Sequence, residues 1–274
     1  ISLCTTIAVG ILFWAPAEPL YHYHTPPKGL PFEGTSQDSE WFAIATMYLH
    51  WSFTPYSIYM VPTLILALMT YNFQRPSNLG SAFEPIIGRR LGQKWSFVFD
   101  GMSLFALVTG VSSSLASGIL LLTGALDSLF GITPSATIKT FVCTAIVLAF
   151  VISATSGLMK GIRLLSDLNT KVLLLIAAFI FLCGPTLHIL NSGWQSLVYY
   201  GRHFFEMSVM DSLFSEDLWY KKWTVFYWSV WLAWAPMAGF FLAKIARGYT
   251  VKEMIEMNFI LPSLLTCLWM SIFQ

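Results

Sequence analysis

Seven apolar segments, each long enough or nearly long enough to cross a lipid bilayer, constrain the fold of this chain more than any other feature. A transmembrane helix requires ~20 predominantly apolar residues. Charged residues make up only 11% of the chain, whereas soluble domains carry about 25%. The pattern predicts an all-α integral membrane protein. The segments lie at 1–21, 42–71, 96–125, 136–157, 166–192, 222–246 and 256–274.

The connections between these segments alternate in charge, and the alternation predicts their orientation. The loops 72–95 and 158–171, together with the stretch that follows the sixth segment, hold ten of the fifteen lysines and arginines. By the positive-inside rule these connections lie in the cytoplasm. We therefore predict a multi-pass protein of the cell inner (cytoplasmic) membrane. Because the first and last segments reach the ends of the sequence, we also expect the chain to be part of a longer protein.

The sixth segment is unusually aromatic, with four indoles and two other rings between Trp223 and Trp234. At ~100° per residue, five of these rings share one stripe of a helix. Ring faces attract cations that have no hydrogen to donate, such as quaternary ammonium groups, by ~0.5–2 kcal/mol each. The stripe predicts a cation-binding surface, and simple packing against lipid or other helices is the alternative. Its members are Trp223, Phe226, Tyr227, Trp231 and Trp234.

The second segment carries a second aromatic set that includes Trp51, Tyr56 and Tyr59, with Pro55 among them. Facing the sixth segment, these rings would complete a box around a cation. An aromatic belt at the membrane interface explains the same residues equally well. We expect His50, in the same segment, to be a hydrogen-bonded helix residue rather than a proton carrier.

The first segment contains small residues and prolines, which predict a helix broken near the middle of the membrane. Glu18 lies near its outer end, where we favour a structural pairing role over proton coupling. The prediction of a break rests on Ala8, Gly10, Pro16 and Pro19.

The stretch 193–213 mixes apolar and polar residues and predicts an amphipathic helix on the outer surface. A packed outer loop with helical turns is the alternative. No nucleotide-binding loop, metal cluster or nucleophile motif is present, so an enzyme is not expected. The net charge of +1 likewise gives no support for nucleic-acid binding.

Several motifs together resemble the betaine/choline/carnitine transporter family over the whole chain. The stretch 223–247 is similar to the family signature, which runs from W-T-x-F-Y-W to a Pro, a Gly and a basic end. Further similarities are Glu18-Pro-Leu, His50-Trp51 through Tyr59, Phe83-Glu-Pro-Ile-Ile-Gly, Ser156-Gly-Leu-Met-Lys-Gly-Ile, Leu165-Ser-Asp-Leu-Asn and Gly184-Pro-Thr.

The resemblance implies the leucine-transporter-like inverted-repeat fold, of which this chain would be a fragment. Residues 1–192 would form the first five-helix repeat, 193–213 the outer-surface helix and 222–274 the start of the second repeat. It also implies a homotrimer, and transport of trimethylammonium or sulfonium compounds coupled to Na⁺ or H⁺ or to exchange. No other cofactor and no metal are expected.

The resemblance also implies a set of substrate-binding residues, with two departures from the family pattern. Tyr56 occupies a position that is Trp in glycine-betaine carriers, and Val230 replaces the first Trp of a usual pair. Both changes reduce the box, so the ligand can differ from glycine betaine. The implied substrate-binding residues are Trp51, Tyr56, Tyr59, Phe226, Trp231 and Trp234.

Ion-binding positions are implied less directly. Leu107 and Val111 fall where sodium-coupled members have two threonines, with Ser112 and Ser113 adjacent. A second sodium site would draw on backbone near Ile7.

The functional hypothesis is a secondary active transporter of a small quaternary-ammonium or related onium compound. Glycine betaine, choline, carnitine and dimethylsulfoniopropionate all fit such a box, and alternating access would take place around it. The alternatives are a binding-only osmotic or nutrient sensor and a structural membrane subunit on the same scaffold.

Overall fold

The computed structural model describes residues 2–155, 158–209 and 218–274, and within these ranges the chain is helical with no strand. This confirms the predicted all-α class. The helices are α1 (Ser2–His24), α2 (Gln37–Trp51), α3 (Phe53–Ala67), α4 (Leu79–Ile87), α5 (Arg89–Phe130), α6 (Ala136–Thr155), α7 (Leu158–Cys183), α8 (Thr186–Ser208), α9 (Phe226–Ile245), α10 (Val251–Ile255) and α11 (Leu261–Ile272). Single π-helical turns follow α3, precede α9 and join α10 to α11, at Leu68–Asn72, Lys221–Val225 and Glu256–Ile260.

Four helical stretches of the described residues are long and apolar enough to cross a membrane. They correspond to the second, third, sixth and seventh segments that the sequence predicts. The apolar part of α6, Ala136–Ile152, is shorter than these four. The four stretches are Gln37–Asn72, Lys94–Phe130, Lys221–Ile245 and Val251–Ile272.

The predicted segment 166–192 is not one straight helix, because α7 ends at Cys183 and α8 leaves it at an angle of 107°. Pro185 cannot donate a backbone hydrogen bond, and it disfavours the helical conformation in Gly184 before it. The hydroxyl of Thr186 donates to the carbonyl of Phe181 at 2.6 Å, which satisfies a group freed by the bend. The amphipathic helix predicted at 193–213 therefore begins earlier, at Thr186, and its residues beyond 209 lie outside the described ranges.

The first segment is an unbroken helix, so the predicted break in it is wrong. α1 runs from Ser2 to His24 with Pro16 and Pro19 inside it. Each proline removes one donor, but its fixed φ is compatible with a helix. In an apolar environment the helix satisfies nearly all backbone groups internally, whereas an unwound segment would leave several without partners.

The second segment does contain a break, at Ser52 between α2 and α3, where the backbone has φ −106° and ψ −110°. Pro55 lies four residues after Trp51 and has no N–H to donate to that carbonyl, so the helical ladder stops here. The hydroxyl of Ser52 instead donates to the carbonyl of Tyr48. The break places Trp51 at the end of one helix, and Tyr56 and Tyr59 in the first turns of the next.

The two halves of this segment pack against different partners. α2 lies mainly against α1 and α8, while α3 lies mainly against α9. Gly239 makes the α3–α9 approach possible, because a Cβ at this position would lie 3.1 Å from the Cβ of Pro62. The pairing of α3 with α9 brings together the aromatic residues of the two segments.

We expect Gly239→Leu to destabilise the protein, because a side chain at this contact pushes against the rigid ring of Pro62. Overpacking of this kind typically costs about 1–3 kcal/mol. The thermal unfolding midpoint of the detergent-solubilised protein measures the effect. Gly101→Leu is the matched control, since nothing lies within 4 Å of a Cβ at Gly101, and its midpoint should stay unchanged. Equal midpoints for both variants would contradict the close approach of α3 and α9.

Candidate functional site: an aromatic cluster over a buried carboxylate

Three of the predicted box residues meet in the core, from three different helices. Trp51, Tyr59 and Trp231 are 3%, 3% and 6% exposed. The ring centroids of Trp51 and Trp231 are 5.3 Å apart, and those of Tyr59 and Trp231 are 6.2 Å apart, both edge to face. Tyr227 extends the group, because its ring stacks on Trp231 at 5.9 Å and meets Trp51 edge-on at 5.2 Å. We call Trp51, Tyr59, Tyr227 and Trp231 the aromatic cluster.

Hydrogen bonds fix the two indoles of the aromatic cluster. The indole N–H of Trp231 donates to the backbone carbonyl of His50 at 2.8 Å, and that of Trp51 donates to Glu18 Oε2 at 2.8 Å. In a continuous helix the His50 carbonyl would bond to the amide of Thr54, so the break at Ser52 frees it for Trp231. Because the N–H edges are satisfied, the ring faces are the surfaces that a ligand would meet. The rings contact one another directly in this structure, so a ligand requires them to separate.

The other three predicted substrate ligands lie around this cluster rather than in it. Tyr56 is buried, and its hydroxyl lies 3.3 Å from the hydroxyl of Thr266 on α11. Trp234 packs against α5, where a Cβ at Gly110 would lie 2.9 Å from its ring. Phe226 is 54% exposed and contacts Tyr227 at its edge, with ring centroids 5.7 Å apart. The roles of all six residues in binding a substrate stay predictions.

The predicted ion-binding positions are not gathered into one site among the described side chains. Ser112 and Ser113 are both exposed on α5. Ile7 lies in the helical backbone of α1, and its side chain is outside the described part of the structure. An ion site that uses unwound backbone near Ile7 does not agree with the continuous helix.

Next to the aromatic cluster, Glu18 is the centre of a fully buried polar network. The sequence predicts that Glu18 is paired but does not identify its partners. Its Oε1 lies 2.6 Å from His50 Nδ1 and 3.3 Å from His22 Nε2. Its Oε2 accepts from Trp51 at 2.8 Å and from the hydroxyl of Tyr227 at 2.5 Å. Glu18, His22 and His50 have no exposed surface. The predicted structural pairing of Glu18 is therefore confirmed, with four partners from three helices.

A signal for this network was present in the sequence. An acidic residue inside an apolar helix requires buried partners, and His22 stands one helical turn after Glu18, on the same face. The participation of His50 and Tyr227 depends on the packing of α2 and α9 against α1, which single-helix periodicity does not reveal.

The network does not suit a metal ion, although ligand atoms of Glu18, His22 and His50 lie within 4.8 Å of one another. The indole N–H of Trp219 lies 3.2 Å from His22 Nδ1. An indole only donates, so Nδ1 accepts and the proton of a neutral His22 is on Nε2. A protonated Nε2 has no lone pair for a metal. The arrangement in this structure is a hydrogen-bond network centred on the carboxylate.

A cavity of about 600 Å³ lies at the other ends of α3 and α9, on the side predicted to be cytoplasmic. The π-helical turn after α3 forms one wall, and the end of α9 with the loop into α10 forms the other. The hydroxyl of Tyr71 donates to the carbonyl of Lys244 at 3.2 Å across this end. Polar residues at its rim are Asn72, Gln74, Arg247 and Tyr249.

The sequence of this chain is similar to those of a family of known transporters. A family model described as BCCT, betaine/carnitine/choline family transporter, matches residues 1–274. An ectoine/hydroxyectoine transporter of Virgibacillus pantothenticus is 29% identical over 96% of this chain and 52% of its own length. The glycine betaine transporter OpuD of Bacillus subtilis is 32% identical over 97% of this chain and 52% of its own length. The high-affinity choline transport protein of Escherichia coli is 31% identical over 97% of this chain and 39% of its own length.

The chain thus spans about half the length, or less, of these curated relatives. The three relatives are named as transporters, which agrees with the prediction that the chain is not an enzyme. The matches cover both the aromatic cluster and the Glu18 network, since they extend over nearly the whole chain.

Proposed function

We propose, from the premise that this chain belongs to the betaine/carnitine/choline transporter family, that it forms the substrate-binding part of a secondary transporter of small onium compounds. Members of this family are multi-pass membrane proteins, and the apolar helices of the chain agree with that. The named substrates of its relatives include glycine betaine and choline. We propose the same chemical class, a quaternary ammonium or related onium head group, for this protein.

The proposal rests mainly on the packing of three buried aromatic residues from three helices. The ring of Trp231 contacts the rings of both Trp51 and Tyr59. Each ring face attracts a cation by ~0.5–2 kcal/mol, and more when water is excluded. A quaternary ammonium offers no hydrogen bond, so ring faces are the protein groups that best replace its hydration. Three or four faces together supply several kcal/mol, which is enough for micromolar binding once other contacts are added.

The buried carboxylate of Glu18 adds a second reason for a cationic substrate. It accepts hydrogen bonds directly from two members of the aromatic cluster, Trp51 and Tyr227. Its negative charge, held in apolar surroundings, lowers the potential in the cluster and favours a positive head group. Tyr56 near Thr266 and Trp234 against α5 would contact the remainder of the substrate as the rings separate.

Counterflow in proteoliposomes tests the proposal. Vesicles that contain the complete protein and unlabelled substrate should take up external labelled substrate transiently. The assay compares choline, glycine betaine, carnitine and dimethylsulfoniopropionate, with and without Na⁺, which also reports on the coupling ion. We expect saturable counterflow with at least one of the four.

The outcomes separate the alternatives. Binding of an onium compound without any counterflow would favour a sensor on the same scaffold. If none of the four compounds shows binding or counterflow, the proposal is contradicted and a structural subunit is favoured. The homotrimer implied by the family resemblance is a further proposal, which the mass of the solubilised complex checks.

A further inference from the structure

We propose that His50, held between Glu18 and Thr224, is a proton-binding site whose occupation opposes the binding of a cationic onium substrate. The inference deepens the proposed function and rests on it. It assigns to His50 a regulatory role that hydrogen-bond geometry supports, beyond the structural role that the sequence favours.

Hydrogen-bond geometry shows where protons reside around His50. Its Nδ1 lies 2.6 Å from Glu18 Oε1, so a proton is held between these two atoms. Its Nε2 lies 2.9 Å from the hydroxyl of Thr224. A hydroxyl both donates and accepts. Thr224 donates to Nε2 when the imidazole is neutral and accepts from it when the imidazole is charged, so His50 gains a proton without losing a hydrogen bond.

His22, the other imidazole in the network, lacks this property. Its Nδ1 faces the indole N–H of Trp219 at 3.2 Å. A proton added at Nδ1 would place two donors against each other, because Trp219 cannot accept. The same network therefore keeps His22 neutral and directs an additional proton to Nε2 of His50.

The net negative charge of the network favours binding of this proton. In the described part of the chain, the basic groups within ion-pair distance of Glu18 are the two histidines alone. With both imidazoles neutral, the buried network carries one uncompensated negative charge, which is costly in apolar surroundings. The ring of Tyr227 stacks on His50 at 4.8 Å and presents its face to the charged imidazole. The titratable groups that meet here are Glu18 and His22 from α1, His50 from α2 and Tyr227 from α9; Lys221 and Lys222, before α9, are exposed.

An onium cation can compensate the same negative charge. Trp51 connects the two sites, because its N–H binds Glu18 Oε2 while its ring belongs to the aromatic cluster. The added proton on His50 and the cation in the cluster are like charges a few ångströms apart in a low dielectric, so each weakens the binding of the other. The affinity for a cation should therefore rise with pH, on the order of tenfold from the protonated to the neutral state of His50.

The test is the dissociation constant of choline for the complete protein in detergent, measured by calorimetry from pH 5 to pH 9. In the wild type, the Kd should fall by about tenfold across this range. Choline binding should also release protons, so its apparent enthalpy should depend on the ionisation enthalpy of the buffer. This measurement needs no variant.

Two substitutions should each make the Kd of choline independent of pH, at opposite ends of the wild-type range. His50→Asn keeps an amide donor to Glu18 but cannot titrate, so its Kd should stay at the high-pH value of the wild type. Glu18→Gln removes the negative charge, so its Kd should stay at the low-pH value. His24→Asn, at the exposed end of α1, is the matched control, and its Kd should depend on pH as in the wild type.

Three results would overturn the inference. The first is a wild-type Kd that does not depend on pH, with no proton release on binding. The second is a His50→Asn variant whose Kd depends on pH as in the wild type. The third is the same pH-independent Kd for His50→Asn and Glu18→Gln. If choline, glycine betaine, carnitine and dimethylsulfoniopropionate all fail to bind at every pH, the proposed function itself fails. The two failures are therefore distinguishable.

Discussion

Trp231→Leu is expected to lower onium uptake at least tenfold while the protein still reaches the membrane. The substitution removes the ring that contacts both Trp51 and Tyr59. It also removes the donor to the carbonyl of His50. The lost ring face removes about 0.5–2 kcal/mol of cation binding, and the unpaired carbonyl costs about 1–3 kcal/mol of stability in the geometry that holds the site. Uptake of labelled substrate should fall at least tenfold, since about 1.4 kcal/mol corresponds to that factor.

Two companion variants make this result specific. Trp231→Phe keeps a ring face but not the N–H, and should show an intermediate loss. Trp194→Leu makes the same change at a residue of α8 that is 63% exposed, and uptake should be unaffected. Full uptake by Trp231→Leu would show that the aromatic residues are structural and would remove the basis of the proposed site.

Glu18→Leu should destabilise the protein more than any other single change in this region. The apolar side chain leaves His22, His50, Trp51 and Tyr227 facing it without an acceptor. Each unsatisfied buried group costs about 1–3 kcal/mol, so a total loss of several kcal/mol is expected. The thermal unfolding midpoint and the yield of monodisperse protein measure this loss.

Glu256→Leu is the matched control for this prediction. Its carboxylate is exposed and pairs with Lys252 at 3.7 Å. An exposed pair of this kind contributes little, so the change should stay within about 0.5 kcal/mol. Glu18→Gln should also be milder than Glu18→Leu, because an amide can still accept two of the hydrogen bonds. Equal stability of Glu18→Leu and the wild type would contradict the central position of the carboxylate.

The sequence predicts the membrane helices better than their interruptions. Long apolar runs identify spans because the bilayer imposes a minimum length, and four of the predicted segments agree with the structure. Prolines are ambiguous, since Pro16 and Pro19 are accommodated in α1, whereas Pro55 and Pro185 accompany breaks. The difference depends on partners for the freed carbonyls, which only the tertiary structure shows.

The candidate site was predictable in its chemistry but not in its full membership. Helical spacing placed Trp231 and Tyr227 on one stripe, and it offered Trp51 and Tyr59 as residues that could face it, with an aromatic belt at the membrane interface as the equal alternative. Spacing could not show that Phe226 lies on the exposed side, because this depends on which part of a broad stripe meets α3. Similarly, nothing in the local sequence links Glu18 to residues 32 and 209 positions away.

The break at Ser52 has a mechanical consequence for the candidate site. α2 packs mainly against α1 and α8, and α3 packs mainly against α9, so the two halves of the segment belong to two packed groups of helices. Tyr59 and Trp231 lie together in the second group, whereas Trp51 lies in the first. A hinge motion at Ser52 would therefore separate the indoles of Trp51 and Trp231, whose ring centroids are 5.3 Å apart, and leave the Tyr59–Trp231 pair intact. Hydrogen bonds from Trp231 to the carbonyl of His50, from Tyr227 to Glu18 and between Thr224 and His50 join the two groups, so opening the candidate site would require these bonds to break or shift.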